Sequence, residues 1–171
     1  MEEMVVLVNP NDEVIGLMEK QQAHVAGFLH RAFSVFIFNS NGQLMLQQRA
    51  SEKYHSPELW TNTCCSHPRE DESYLEAAHR RLKEEMGFDT ELEYKFNFIY
   101  KAKLANGLTE HELDHVFVGK FDQEPNLNPE EVMNYKWMSL EDLEKDIETN
   151  PEIYTAWFKI IFDEYLSHLR A

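Results

Sequence analysis

Residues 73–88 read SYLEAAHRRLKEEMGF, and their spacing predicts a helix with both ends marked. Ser73 followed three residues later by Glu76 has the pattern of a capping box, in which hydroxyl and carboxylate satisfy the first free backbone N–H groups. Leu75, Ala78, Leu82 and Met86 then recur at three- and four-residue intervals, an apolar stripe along one side. Gly87 stands where helices commonly end in a left-handed residue. Away from the stripe, Arg81 and Glu85 stand four apart on one face, and Arg80 and Glu84 on the next. A solvated helix laced with ion pairs would account for those charges by itself.

On either side of this helix the chain reads as strands. VVLV (5–8), the turn NPND and VIGLM (14–18) read as strand, turn, strand. AFSVFIF (32–38) and LMLQQR (44–49) flank NSNG, a hairpin in which Gly42 supplies the turn. Further strands are expected near Trp60–Thr63 and over Leu92–Lys103, Leu108–Phe121 and Val132–Met138. Two more helices are expected over Ser139–Ile147 and Tyr154–Leu169. No repeat, low-complexity tract or linker divides the chain, so residues 1–171 are expected to form one α+β (mixed α/β) domain.

Charge narrows the function classes. Sixteen Lys and Arg against 31 Asp and Glu give a net charge of −15, which argues against a nucleic-acid binder. A small anionic substrate remains compatible if a few basic residues converge. The N-terminal MEEMVVLVNPND is acidic with one short apolar run, neither a signal peptide nor a membrane span. Two cysteines without a targeting segment point to a reducing cytoplasm. Both cysteines sit in TNTCCSHP (61–68), where a disulfide between neighbours would need a strained ring and zinc-site spacing is lacking.

The chemistry-bearing residues form a larger pattern. Glu72 stands eight residues before Arg80, and the run closes on Glu84, Glu85, Gly87 and Phe88. This order resembles the Nudix box, a loop–helix–loop whose carboxylates hold Mg2+ against a substrate diphosphate, as hard oxygen donors can. Two positions depart from it: Ser66 stands where the box opens on Gly, and Arg81 where it has Glu. Exchanging a metal-binding carboxylate for a cation disfavours hydrolysis and favours gripping a diphosphate without cutting it. His24 and His30 in AHVAGFLHRAFSVFIF, His67 in CCSHP, and Glu110 and Glu112 in TEHEL extend the pattern. Any one of these histidines alone would be read as a hydrogen-bonded core residue. Together the segments resemble the type I isopentenyl-diphosphate isomerases, a divergent branch of the Nudix superfamily. The resemblance runs from about Leu7 through TAWFKIIF (155–162), and WTNTCCSHP is highly specific to it.

The resemblance implies a Nudix fold, a mixed β-sheet sandwiched by helices, and an activity that interconverts isopentenyl and dimethylallyl diphosphate in isoprenoid biosynthesis. It casts Cys65 as one acid/base and Glu112 as the other, with Tyr100 beside Glu112, and Cys64 as a packed strand residue. His24, His30, His67, Glu110 and Glu112 match a divalent site suited to Zn2+ or Mn2+. Mg2+ is expected between Glu85, the Cys65 carbonyl and the diphosphate. Lys20, Arg49, Lys53 and Arg81 match a phosphate grip, although each alone reads as a solvated surface charge. Trp157 matches an aromatic face for a carbocation, although YTAWFKIIF by itself reads as an amphipathic core helix. The implied partner is a small allylic or homoallylic diphosphate, with no nucleic acid or membrane, and the chain is expected as a monomer or weak dimer. A Nudix pyrophosphohydrolase and a catalytically silent, metal-stabilised binding protein are the competing readings.

Overall fold

The third strand shows why the sequence folds as it does. In the computed structural model, which describes residues 3–53, 55–104 and 107–169, β3 spans His30–Phe38 and alternates its side chains between two cores. Phe33, Val35 and Ile37 pack with Ala77, Ala78, Leu82 and Met86 of helix α2 (Tyr74–Met86). Phe36 points the other way, into a cluster with Leu143 of α3 (Leu140–Thr149) and Phe158, Ile161 and Phe162 of α4 (Ala156–Leu169). A strand buried on both faces needs helices on both, and period-two alternation deals them its side chains. The sheet is thus covered on both faces by helices, as expected.

The remaining strands are β1 (Met4–Val8), β2 (Val14–Glu19), β4 (Gln43–Arg49), β5 (Trp60–Thr61), β6 (Cys64–Ser66), β7 (Leu92–Lys103), β8 (Thr109–Lys120) and β9 (Val132–Ser139). β1 and β2 form a hairpin, β4 pairs with β9, and β7 with β8, all antiparallel. β3 and β8 run parallel, in register from His30 opposite Glu112 to Phe38 opposite Lys120. Gly42 takes φ 73° in the β3–β4 turn.

Two findings depart from the sequence reading. The strand expected near Trp60–Thr63 covers only Trp60–Thr61, and a second short strand, Cys64–Ser66, follows it with a different partner. Thr61 pairs with Gln47 of β4, while Cys64 and Cys65 pair with Val35 and Ser34 of β3. The crossing is sealed by buried side chains. Asn62 Nδ2 donates to the carbonyls of Val35 (3.0 Å) and Cys64 (2.8 Å), and Thr63 Oγ1 donates to that of Met45 (2.6 Å). Side-chain amides and hydroxyls there replace the ladder bonds that β3 and β4 cannot make to each other. The second departure is α1 (Lys20–Ala26), for which no helix was expected. Its Glu19 cap accepts from the Gln22 N–H and Gly27 closes it at φ 74°, but seven residues carry too little periodicity to announce a helix. Helix α4 also starts later than Tyr154, after a 3-10 turn at Pro151–Ile153.

Helix α2 is capped as its sequence requires. Ser73 Oγ accepts from the Glu76 N–H, Glu76 reaches back to the Ser73 N–H, and Gly87 ends the helix at φ 72°. Arg80 ties the preceding loop down through Glu72, at 2.5 and 2.8 Å. A Cβ on Gly87 would lie 2.3 Å from the Asn126 carbonyl oxygen, in a loop whose Asn126 N–H donates to Met86. Gly87→Ala is therefore expected to lower unfolding stability by about 2–4 kcal/mol, read as a shifted urea midpoint at unchanged m-value. No helix among the described residues is long and apolar enough to cross a membrane.

Candidate active site

The parallel register of β3 and β8 builds the centre of the site. Alternation along β8 buries Glu110, Glu112 and Asp114 on the same face as Val116. Pairing places His30 opposite Glu112 from one side and Tyr100 opposite it from the other. His67 follows β6, and α1 delivers His24. The ligand atoms of His24, His30, His67 and Glu112 all lie within 4.8 Å of one another. Glu112 Oε2 is 3.2 Å from His30 Nε2 and 2.9 Å from His67 Nε2, while Tyr100 donates to its other oxygen. Tyr100 also reaches Glu110 Oε2 at 2.9 Å. Glu110 is thus beside the four-residue group rather than within it, and its buried Oε1 finds no hydrogen-bond partner among the described residues.

These donors fit a divalent metal. His24 Nδ1 donates to the Lys20 carbonyl at 2.8 Å and His30 Nδ1 to that of Phe28 at 2.9 Å. Such bonds leave Nε2 a bare lone pair, and on His30 it faces a carboxylate oxygen. Two acceptors face each other stably only across a cation. Burial holds His24 below the usual histidine range and His67 down at about 4, so both imidazoles are neutral at pH 7, the form that ligates. Burial alone would raise the Glu112 pKa, but the close approach of His30 and His67 outweighs it and holds the carboxyl well below its usual range. Burial and the neighbouring Glu112 push Glu110 the opposite way.

Cys65 and Cys64 part company at β6. Cys64 is fully buried beneath α2, among Ala77, Ala78 and Leu82. Cys65 is partly exposed and lines a cleft with Glu110, Glu112 and Trp157. Burial pushes its thiol pKa well up, as it does the Tyr100 hydroxyl, so both hold their protons. Two residues that the motifs did not single out share this wall: Asp114, which accepts from Ser34 Oγ at 2.8 Å, and His55. His55 comes from the β4–β5 loop, and its ring centre is 5.3 Å from that of His24 and 5.9 Å from that of Trp157.

Lys20, Arg49, Lys53, Arg81 and Glu85 line the same cleft, but the cations are not bare. Lys20 Nζ lies 2.6 Å from Glu3, and Lys53 Nζ lies 2.5 Å from Glu131. Arg81 reaches Glu85 at 2.7 Å, Glu84 at 3.1 Å and Glu131 at 3.2 Å. Glu85 also accepts from Gln47 Nε2 at 2.9 Å. Arg49 donates to the carbonyls of Ser56 and His55, both at 3.2 Å, with its guanidinium carbon 5.2 Å from the Trp157 ring centre. Trp157 itself is almost wholly buried against the α4 core and still borders the cleft, so it serves as packing and as wall.

Comparison with known proteins gives this arrangement a family. The NUDIX domain model matches residues 28–158. Isopentenyl-diphosphate Delta-isomerase 2 from Aromatoleum aromaticum is 50% identical over 98% of this chain and 88% of its own length. The isopentenyl-diphosphate Delta-isomerase from Pectobacterium atrosepticum is 54% identical over 92% of this chain and 88% of its own. Among solved structures, a Deinococcus radiodurans protein aligns with TM-score 0.76 at 20% identity, covering 95% of this chain and 99% of that one. A MutT protein from Methanosarcina mazei aligns with TM-score 0.67 at 19% identity, covering 84% and 96%. At such identities the structures speak for the fold alone, whereas half-identical relatives over nearly the whole chain speak for descent. On both grounds the chain belongs to the isopentenyl-diphosphate Delta-isomerase family of the Nudix superfamily.

Proposed function

We propose that the chain isomerises isopentenyl diphosphate and dimethylallyl diphosphate, with Cys65 and Glu112 as the acid/base pair. The observation that carries this reading is a single cleft lined by a protonated thiol, a tyrosine-linked carboxylate and four basic side chains. A proton enters at the terminal alkene carbon, leaving a tertiary carbocation, and another leaves C2 to form the new double bond. The reaction runs both ways, so each group gives and takes a proton in turn. Tyr100 keeps the proton it shares in hydrogen bonds with Glu110 and Glu112 and orients the carboxylate.

His24, His30, His67 and Glu112, with Glu110 adjoining, would hold Zn2+ or Mn2+. Bound there, the ion supplies fixed positive charge that tunes the acidity of the Glu112 carboxyl. Glu85 and the Cys65 carbonyl would meet Mg2+ arriving with the diphosphate, while Lys20, Arg49, Lys53 and Arg81 exchange present partners for phosphate oxygens. Arg81 also weighs against hydrolysis, because it puts a cation where the Nudix box has a metal-binding Glu. Residues 1–171 act as one domain in this reading, as a monomer or weak dimer. Free Cys64 and Cys65 suit the cytoplasm.

The test is an assay with isopentenyl diphosphate that follows dimethylallyl diphosphate and free phosphate together. Isomer without phosphate supports the proposal, phosphate release supports a hydrolase, and no turnover supports a binder. Trp157 offers a finer check. Its face stabilises a cation that exists only near the transition state, so loss should appear in kcat more than in KM. Trp157→Phe should lower kcat several-fold and Trp157→Leu about 30-fold, given about 2 kcal/mol for a desolvated cation–π contact. Unchanged kcat in a folded Leu variant would leave Trp157 a packing residue only.

A further inference from the structure

We infer that His55 sets the size limit of the hydrocarbon end of the cleft, admitting a five-carbon chain and turning away branches one carbon longer. The inference rests on the functional reading above and deepens it.

His55 belongs to the loop between β4 and β5, where a side chain would ordinarily face water. Here it is only 7% exposed. The loop takes an unusual path to bury it. Ser56 and Glu58 hold φ 49° and 62°, a left-handed region that L side chains rarely adopt. Arg49 clasps the turn through the carbonyls of Ser56 and His55, and the Arg49 and Glu58 backbones close it with bonds to Leu59 (2.9 Å) and Arg49 (3.1 Å). The ring is delivered edge-on to Trp157, at 88° between planes, and against His24. Its Nδ1 lies 3.2 Å from Ser56 Oγ. His55 stands outside the group of four metal-binding side chains. It therefore forms a wall of the cleft between the aromatic face and the metal-binding histidines, where the functional reading puts the reacting carbons. A hydrocarbon branch longer than a methyl group would run into the ring.

The probe is a homologue of the substrate, 3-ethyl-3-butenyl diphosphate, compared with isopentenyl diphosphate as a ratio of kcat/KM. Wild type should favour the five-carbon substrate. His55→Ala should move the ratio toward the homologue by about tenfold or more, as expected for one methylene in a shaped apolar pocket. His55→Phe, which refills the wall, should keep the wild-type ratio. Metal content measured by elemental analysis should be unchanged in all variants. If circular dichroism shows His55→Ala unfolded, His55→Val against His55→Phe carries the same comparison. A folded Ala or Val variant with an unmoved ratio overturns the inference, as does a wild type that accepts both substrates equally. Loss of metal from the Ala variant would make His55 a ligand and also overturn it. Wild-type protein that fails to isomerise isopentenyl diphosphate would instead remove the functional reading itself.

Discussion

Cys65→Ser is expected to lower kcat by about 10³-fold or more with little change in thermal unfolding, because a buried alcohol is a far weaker acid than a thiol. The partner substitution should do the reverse. Cys64 packs among Ala77, Ala78 and Leu82 beneath α2, on the opposite face of β6 from the cleft. Cys64→Ser puts a hydroxyl into that apolar cluster and should cost about 1 kcal/mol, or about 2–4 °C in Tm for a domain of this size, with kcat near wild type. The measurement is kcat and thermal unfolding for both variants side by side. The contrast follows from the pleat, which sends adjacent residues to opposite faces. Equal loss of activity in the two variants would show that the cysteines are misassigned.

Local chemistry made much of this legible. The capping box, the Gly87 terminus and most of the apolar stripe of α2 are written in consecutive residues, and the structure shows them: Ala78, Leu82 and Met86 are buried, whereas Leu75 at the head of the expected stripe is exposed and Ala77 packs inward instead. The β7 boundaries coincide with those expected, because twelve residues of β-forming pattern leave little ambiguity. What could not be read depends on partners distant in sequence. Nothing near Thr61 or Cys64 announces that the chain leaves β4 for β3 between them, since that depends on how far β3 and β4 splay apart. The acidic partners of the cleft cations belong to the same class. Glu3 is 17 residues from Lys20, and Glu131 is 78 from Lys53, with no motif joining either pair. His55 was missed because it lies in a loop whose path is set by Arg49 and two left-handed residues rather than by any pattern.

Glu112→Gln should separate metal binding from folding more sharply than any other substitution. Glu112 Oε2 now faces His30 and His67, and His30 has its other nitrogen committed to the Phe28 carbonyl. In metal-free protein that leaves acceptors opposed across about 3 Å, a repulsion that a glutamine amide relieves by donating an N–H to imidazole. The chelated Glu112→Gln variant should therefore unfold at the same temperature as chelated wild type or slightly higher. Added Zn2+ or Mn2+ should then raise Tm in wild type and much less in the variant, because ligand stabilisation follows affinity for the folded state. Turnover should fall by about 10³-fold or more, since in the proposed mechanism the same change removes an acid/base group and a metal ligand. Glu110→Gln is the control. Glu110 lies beside the four-residue group rather than within it, so its amide should cost less metal and less activity than Glu112→Gln. The readouts are metal content, Tm with and without chelator, and kcat for both variants. A Glu112→Gln variant that keeps full metal and activity would reduce Glu112 to a structural carboxylate, and the acid/base role would have to pass to Glu110 and Tyr100.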